Sequence, residues 1–156
     1  MTTFSTTSNE LLKALGLRLV ELDLVQYSEA DDVVYAENPE LPVYVWRELP
    51  ADPDTAVSAA VTNDARDRDH WNPDYYVRLR VRTSENAGVD ADDLADRFFN
   101  HLHVPDHYYQ PQTWPGGVRV IDVRRVVRAQ SIEDSNNRLM RADSYRITLN
   151  PPGEIS

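Results

Sequence analysis

Tyr75-Tyr76-Val77-Arg78-Leu79-Arg80-Val81-Arg82-Thr83 is the stretch on which the fold turns. Tyr75, Val77, Leu79 and Val81 alternate with Tyr76, Arg78, Arg80 and Arg82, the period of a strand with one covered face and one open face. Downstream, Asp90 to Val104 reads as an amphipathic helix. Leu94, Phe98 and Leu102 recur at i, i+4 and i+8, with Ala91 and Ala95 beside them. Asp90 suits the N-cap, Val89 and Leu94 stand where a hydrophobic staple would, and Asp92 and Asp93 favour the positive end of the helix dipole. Pro105 stops the helix. An aromatic loop with Pro and Gly covers 105–117. Val118–Val127 and Met140–Leu149 then read as two long strands joined through Asp134-Ser135-Asn136-Asn137.

Working back toward the N-terminus, Thr7-Ser8-Asn9-Glu10 has the form of a capping box. Leu12, Leu15, Leu19 and Leu22 follow as one apolar stripe, so a first helix is expected to run to about Leu24. Gly16 interrupts it at a cost of ~1 kcal/mol relative to Ala, unless it lets the helix pack closely on a sheet. Residues 26–42 are acidic and punctuated by Pro39 and Pro42, and read as a loop with a short strand at Val33–Tyr35. Val43-Tyr44-Val45-Trp46 can be extended, and Pro50 and Pro53 bracket a turn. Thr55–Thr62 is the next strand, and the charged run Asn63–Asp74 is a long exposed hairpin loop. The fold class is therefore α+β: a mostly antiparallel sheet of about four strands packed by two helices, in the order α-β-β-α-β-β. One domain covers 1–156, with 1–7 and 151–156 expected to be flexible.

The formal net charge is -10, and it is carried by the first half. Residues 1–74 hold 15 Asp/Glu against 5 Lys/Arg, and residues 75–156 hold 11 of each. Such a balance argues against simple binding of nucleic acid, which needs clustered cations to neutralise phosphates. With no cysteine there is no disulfide framework, thiolate metal site or Cys nucleophile. No apolar run approaches the roughly 18 residues of a membrane span, and the N-terminus lacks the pattern of a signal peptide.

Candidate chemistry is sparse. His101, His103 and His107 with Asp106 invite a metal reading, but His101 and His103 are two apart at a helix end and point in divergent directions. Histidines near a helix C-terminus, where a partly cationic ring meets the dipole, are the simpler account. Asp64, Asp67, Asp69 and Asp74 lack the central Gly and terminal Glu of a calcium loop, and Arg66 and Arg68 interrupt them. Arg78, Arg80 and Arg82, with Arg119, Arg124, Arg125 and Arg128 on a later strand, form basic stripes. Arginine meets carboxylates in a two-point fork, so pairing with Asp/Glu within or between subunits is favoured over nucleic acid. Trp71, Tyr108, Tyr109 and Trp114 fall in expected loops, where large aromatics either serve interfaces or fold back on the core. Candidate interface residues are thus Arg66, Arg68, His70, Trp71, Arg78, Arg80, Tyr108, Tyr109 and Trp114. Ser131 has no recognisable base partner, and no phosphate loop, dinucleotide fingerprint or catalytic triad is legible. No catalytic residue, metal or cofactor is assigned.

Four parts in order carry a family resemblance: the helix Asn9–Leu22; Asp52-Pro53-Asp54-Thr55-Ala56-Val57 after an acidic, Pro-rich segment; the strand–helix unit from Tyr76 through Leu102; and Ala129-Gln130-Ser131-Ile132-Glu133-Asp134-Ser135-Asn136-Asn137-Arg138 ahead of Ser144-Tyr145-Arg146-Ile147. The chain resembles the tail terminators of long-tailed phages and related viruses. In similar proteins a Gly often precedes the acid of the last turn; here Ile132-Glu133 stands instead. The resemblance implies a virion structural protein rather than an enzyme. It implies a homo-hexameric ring that caps the tail tube, stops its polymerisation and joins the tail to the head connector. The partners implied are further copies of the chain, the tail tube protein, the connector or neck protein, and genome DNA passing through the lumen without specific binding, with no membrane. The place implied is the tail–head junction of the virion, assembled in the host cytoplasm. A head-completion or neck adaptor is the alternative reading. Acids within 29–74 are expected to line the lumen and repel DNA, and the 63–74 loop to dock on tube or connector.

Overall fold

Helix α1 spans Ser8–Glu21 and begins on the capping box read from the sequence. Thr7 Oγ1 accepts from the Glu10 amide, and Glu10 Oε1 from the Thr7 amide, each at 3.1 Å. Leu11, Leu12, Leu15 and Leu19 are buried along one side. The helix ends at Leu22, earlier than expected, because Asp23 turns into a left-handed conformation at φ 58°. This computed structural model describes residues 6–30, 33–65, 72–103 and 111–150.

The remaining elements are β1 (Val43–Trp46), β2 (Ala56–Ala65), β3 (Asp74–Thr83), α2 (Ala91–Leu102), β4 (Gln112–Trp114), β5 (Val118–Val127), β6 (Ile132–Glu133) and β7 (Leu139–Leu149). Among the described residues they make one seven-stranded sheet of order β1-β2-β3-β7-β5-β4, with β6 paired to β7. Helix α1 packs against β1 and β2 near one end and against β4 and β5 at the other. The sheet therefore curls around it, as accumulated strand twist permits. Helix α2 packs on β3, β7 and β5.

The expected four-strand, mostly antiparallel sheet in the order α-β-β-α-β-β is overturned. The sheet has seven strands and is mixed, because β1 pairs with β2 in parallel from Val43↔Ala56 to Trp46↔Ala59. The strands left out are short. β4 has three residues, at Trp114 in the expected aromatic loop, and β6 has two, Ile132–Glu133, in the expected polar segment. Segments of this length cannot display an alternation. The turn Asp134–Asn137 exists, but it joins β6 to β7 rather than β5 to β7. Asp134 Oδ1 accepts from the amides of Asn136 and Arg138, both at 2.9 Å, and Asn137 takes φ 61°.

Register assigns the two faces. Tyr75, Val77, Leu79 and Val81 of β3 stand opposite Ile147, Tyr145, Asp143 and Arg141 of β7, and this inner face meets both helices. Its apolar members join Val57, Ala59, Leu94, Phe98, Leu102, Trp114 and the leucines of α1 in one core. Gly16 sits where a Cβ would lie 2.6 Å from the Tyr44 ring and 2.9 Å from that of Tyr27. The glycine thus serves the close helix–sheet approach rather than weakening the helix. The outer face carries Tyr76, Arg78 and Arg80, opposite Arg146, Ser144 and Ala142.

Candidate assembly surface

The arginine stripe of β3 splits into two kinds of residue. Arg82 is buried, and its guanidinium donates to three backbone carbonyls: Asp54 at 2.7 Å, Pro50 at 2.6 Å and Pro53 at 3.0 Å. It pins the 50–54 loop over one end of the outer face and so holds the return from β1 to β2. Burial lowers its pKa below the ordinary value, with the nearby Arg138 cation acting the same way. Thr55 completes this anchor, donating from its amide and hydroxyl to the Glu37 carboxylate at 2.7 and 2.8 Å. Arg78 is exposed and Arg80 half-buried, and neither takes part in such an anchor.

Further across the outer face, Asp122 of β5 is buried within an otherwise apolar strand segment. Its carboxylate accepts from Arg124 Nε at 3.0 Å and stands 3.5 Å from Arg146 Nη2. These two arginines are direct cross-strand neighbours. Like charges so placed repel, and the buried carboxylate between them offsets the repulsion. The sequence signal for this trio was an acid inside an apolar run, which the reading of 118–127 as a long strand with a basic stripe passed over.

The inner face holds the second polar constellation. Arg141 has no exposed side-chain surface. It forks onto Asp143 at 3.0 and 2.8 Å and reaches Asp92 at 3.1 Å and Asp96 at 3.0 Å on α2. Burial alone would lower its pKa, but the carboxylates of Asp143, Asp92 and Asp96 together hold it raised. Arg125 adds a contact to Asp143 at 3.6 Å and lies 3.7 Å from the Phe99 ring centroid. Ser131 Oγ donates to Asp92 at 2.6 Å, and chiefly through that bond the Asp92 carboxyl sits below its ordinary range. A carboxylate so stabilised is a weak base and does not activate the serine. The cluster is a clamp between α2, β7 and the 128–131 connection.

Of the residues nominated for an interface, Arg78 and Arg80 lie together on the outer face. Trp114 lies in β4, is 1 % exposed and donates its Nε1 proton to Gln112 at 3.3 Å, so it belongs to the core rather than to a surface loop. Arg66, Arg68, His70, Trp71, Tyr108 and Tyr109 fall outside the described residues, as do His107 and Asp106. His101 Nδ1 lies 2.8 Å from the Arg97 carbonyl, whereas His103 Nδ1 accepts the Arg125 amide proton at 3.1 Å. The two rings serve separate backbone contacts. Among the described residues no three His, Asp or Glu side chains converge as a metal site would need. No helix there is long and apolar enough to cross a membrane. Residues that the sequence reading missed are Val127 and Ile132, apolar and exposed at the end of β5 and in β6.

A family model described as bacteriophage tail terminator protein matches residues 11–151. The chain belongs to that family. The tail terminator match runs from within α1 past the end of β7, so it takes in the whole sheet, α2 and most of α1. A tail terminator is a structural protein of a phage tail and thus a virion component. No curated protein matches the chain.

Proposed function

We propose that this tail terminator closes into a hexameric ring that caps the tail tube, stops its polymerisation and joins the tail to the head connector. The observation that carries the reading is the family match over 11–151, and the open outer face with Arg78 and Arg80 supports it. A ring needs two different patches per subunit, because rotation brings one patch of each copy against another patch of the next. The dominance of sheet over helix favours a terminator over a mainly helical neck adaptor. Acids of the first half, such as Glu29, Glu40 and Glu48, are candidates to line the lumen and let DNA slide past. The connection between β2 and β3 is the candidate contact to tube or connector.

Negative-stain microscopy beside native mass spectrometry of the purified chain tests the ring. Six-fold rings with an open centre are the expected result. A strict monomer that also leaves tail tubes uncapped in a mixing experiment would overturn the reading. Deleting 66–71 is expected to abolish joining while leaving ring formation intact.

A further inference from the structure

The outer face of the sheet has a chemistry unlike the rest of this acidic molecule. Arg78 and Arg80 make no hydrogen bond or ion pair among the described residues. Their cross-strand neighbours are Ala60 and Ser58 on β2 and Ser144 and Ala142 on β7. No carboxylate therefore stands directly opposite them, and the two residues lie about 6.6–6.8 Å apart along the strand among small neighbours. On the same face toward β6, Ile132 is 59 % exposed and Val127 52 % exposed. A hollow of about 330 Å³ lined by Arg80, Met140 and Ile132 joins Arg80 to Ile132.

The β1 end of the molecule is its complement. Val34 is 94 % exposed. It borders a groove of about 560 Å³ lined by Val43, Val45 and Asp52, with Glu37, whose carboxylate holds Thr55, beside them. One surface is apolar and basic, the other apolar and acidic, and both lie on the outer face two strands apart, Val45 standing beside Ser58 and Ser58 beside Arg80.

We infer that the outer face around Arg78, Arg80 and Ile132 seats the Val34 edge of a second copy of this chain, head to tail. Arginine forks onto the Asp52 carboxylate of the arriving edge, and Val34 removes apolar surface from water against Ile132 and Val127. Charge sets the direction of docking: a reversed copy would bring acid to acid and cation to cation. Joined head to tail, each copy keeps one patch open for the next, so the contact propagates until rotation closes it. The inference rests on the ring reading and assigns it a surface.

The chain contains no cysteine, so Val34→Cys and Ile132→Cys together supply its only thiols. The full-length double variant is treated with a short bismaleimide and run on a denaturing gel. A covalent ladder rising to a closed product is expected. Adding R78E and R80E should cut the bridged fraction at least tenfold while circular dichroism and melting stay unchanged, and D52R should restore part of it. No bridging, bridging that stops at dimers, or a ladder indifferent to R78E/R80E would overturn the assignment. So would loss of duplex DNA retention at low salt in R78E/R80E with the ladder intact, which would give the face to phosphate. Capping of tail tubes by the unmodified chain is scored separately by microscopy. Capped tubes without a ladder would remove this surface alone, whereas a ladder without capping would remove the tail role and leave the surface.

Discussion

Arg141 and Asp143, two residues apart on β7, face each other in a two-point contact at 3.0 and 2.8 Å with neither side chain more than 3 % exposed. The pair is the pivot on which α2 is fixed to the sheet, because the same guanidinium also reaches Asp92 and Asp96 on the helix. Removing the cation leaves Asp143 buried with the Ala129 amide at 3.0 Å and the longer contact from Arg125, and no cation within 3.5 Å. Arg141→Ala is therefore expected to destabilise the fold by about 3–5 kcal/mol in urea denaturation. Arg141→Met with Asp143→Leu should recover most of that loss. Equal loss in single and double variants would show that the apolar packing, and not the stranded charge, sets the cost.

The two halves of the β3 arginine stripe should respond differently. Arg82→Ala strips donors from three carbonyls of the 50–54 loop, and each carbonyl left unsatisfied costs about 1–3 kcal/mol. Arg80→Ala removes no such partner and should change stability by no more than about 0.5 kcal/mol. Melting curves of the two variants side by side decide this. Similar shifts in both would mean that Arg82 is not the anchor its three contacts describe.

Gly16→Ala should run against helix propensity. In an open helix the change stabilises by about 1 kcal/mol. Here the new methyl group would meet the Tyr44 ring at 2.6 Å, and that ring is buried and tethered through its hydroxyl to the Leu12 carbonyl. Overpacking of this kind costs about 1–3 kcal/mol, so a net loss is expected by chemical denaturation. A gain would show that the ring moves aside freely.

Acid should weaken the fold through Asp92 and Asp134. Both carboxyls sit below their ordinary value: Asp92 first through Ser131 and then through Arg141, and Asp134 first through the backbone amide of Arg138. A depressed folded-state pKa means that the ionised form is the one the fold prefers. Its contribution is complete above the unfolded value of about 3.9 and is lost as pH falls through the lower folded-state value. The melting temperature is expected to fall as pH drops below about 4, and less steeply in Asp92→Asn. An unchanged slope in that variant would remove Asp92 from the account.

Much of the fold was legible because its long elements carry complete periods. The β3 alternation, the Leu94–Phe98–Leu102 stripe, the Thr7–Glu10 capping box, the Asp90 N-cap and the Asp134–Asn137 turn are local patterns in which neighbouring residues specify backbone and face together. The candidate surface was half legible. Arg78 and Arg80 were readable as an open stripe, but Arg82 beside them looked identical and is buried. Nothing in an alternating run tells which of three arginines a distant loop will cover. Trp114 shows the converse, an aromatic residue in a short Pro- and Gly-flanked segment whose burial follows from a strand too short to register.

The sequence by itself determined the two helices, the four long strands and the acidic first half, since each is encoded in residues close along the chain. Only the tertiary structure decided that β1 joins β2 in parallel, that the sheet curls around α1, and that Arg141 gathers carboxylates from two elements while Asp122 holds two arginines. Those outcomes depend on contacts between residues far apart in sequence. Pairing direction and charge partnership there are chosen by which groups the closed fold leaves out of water.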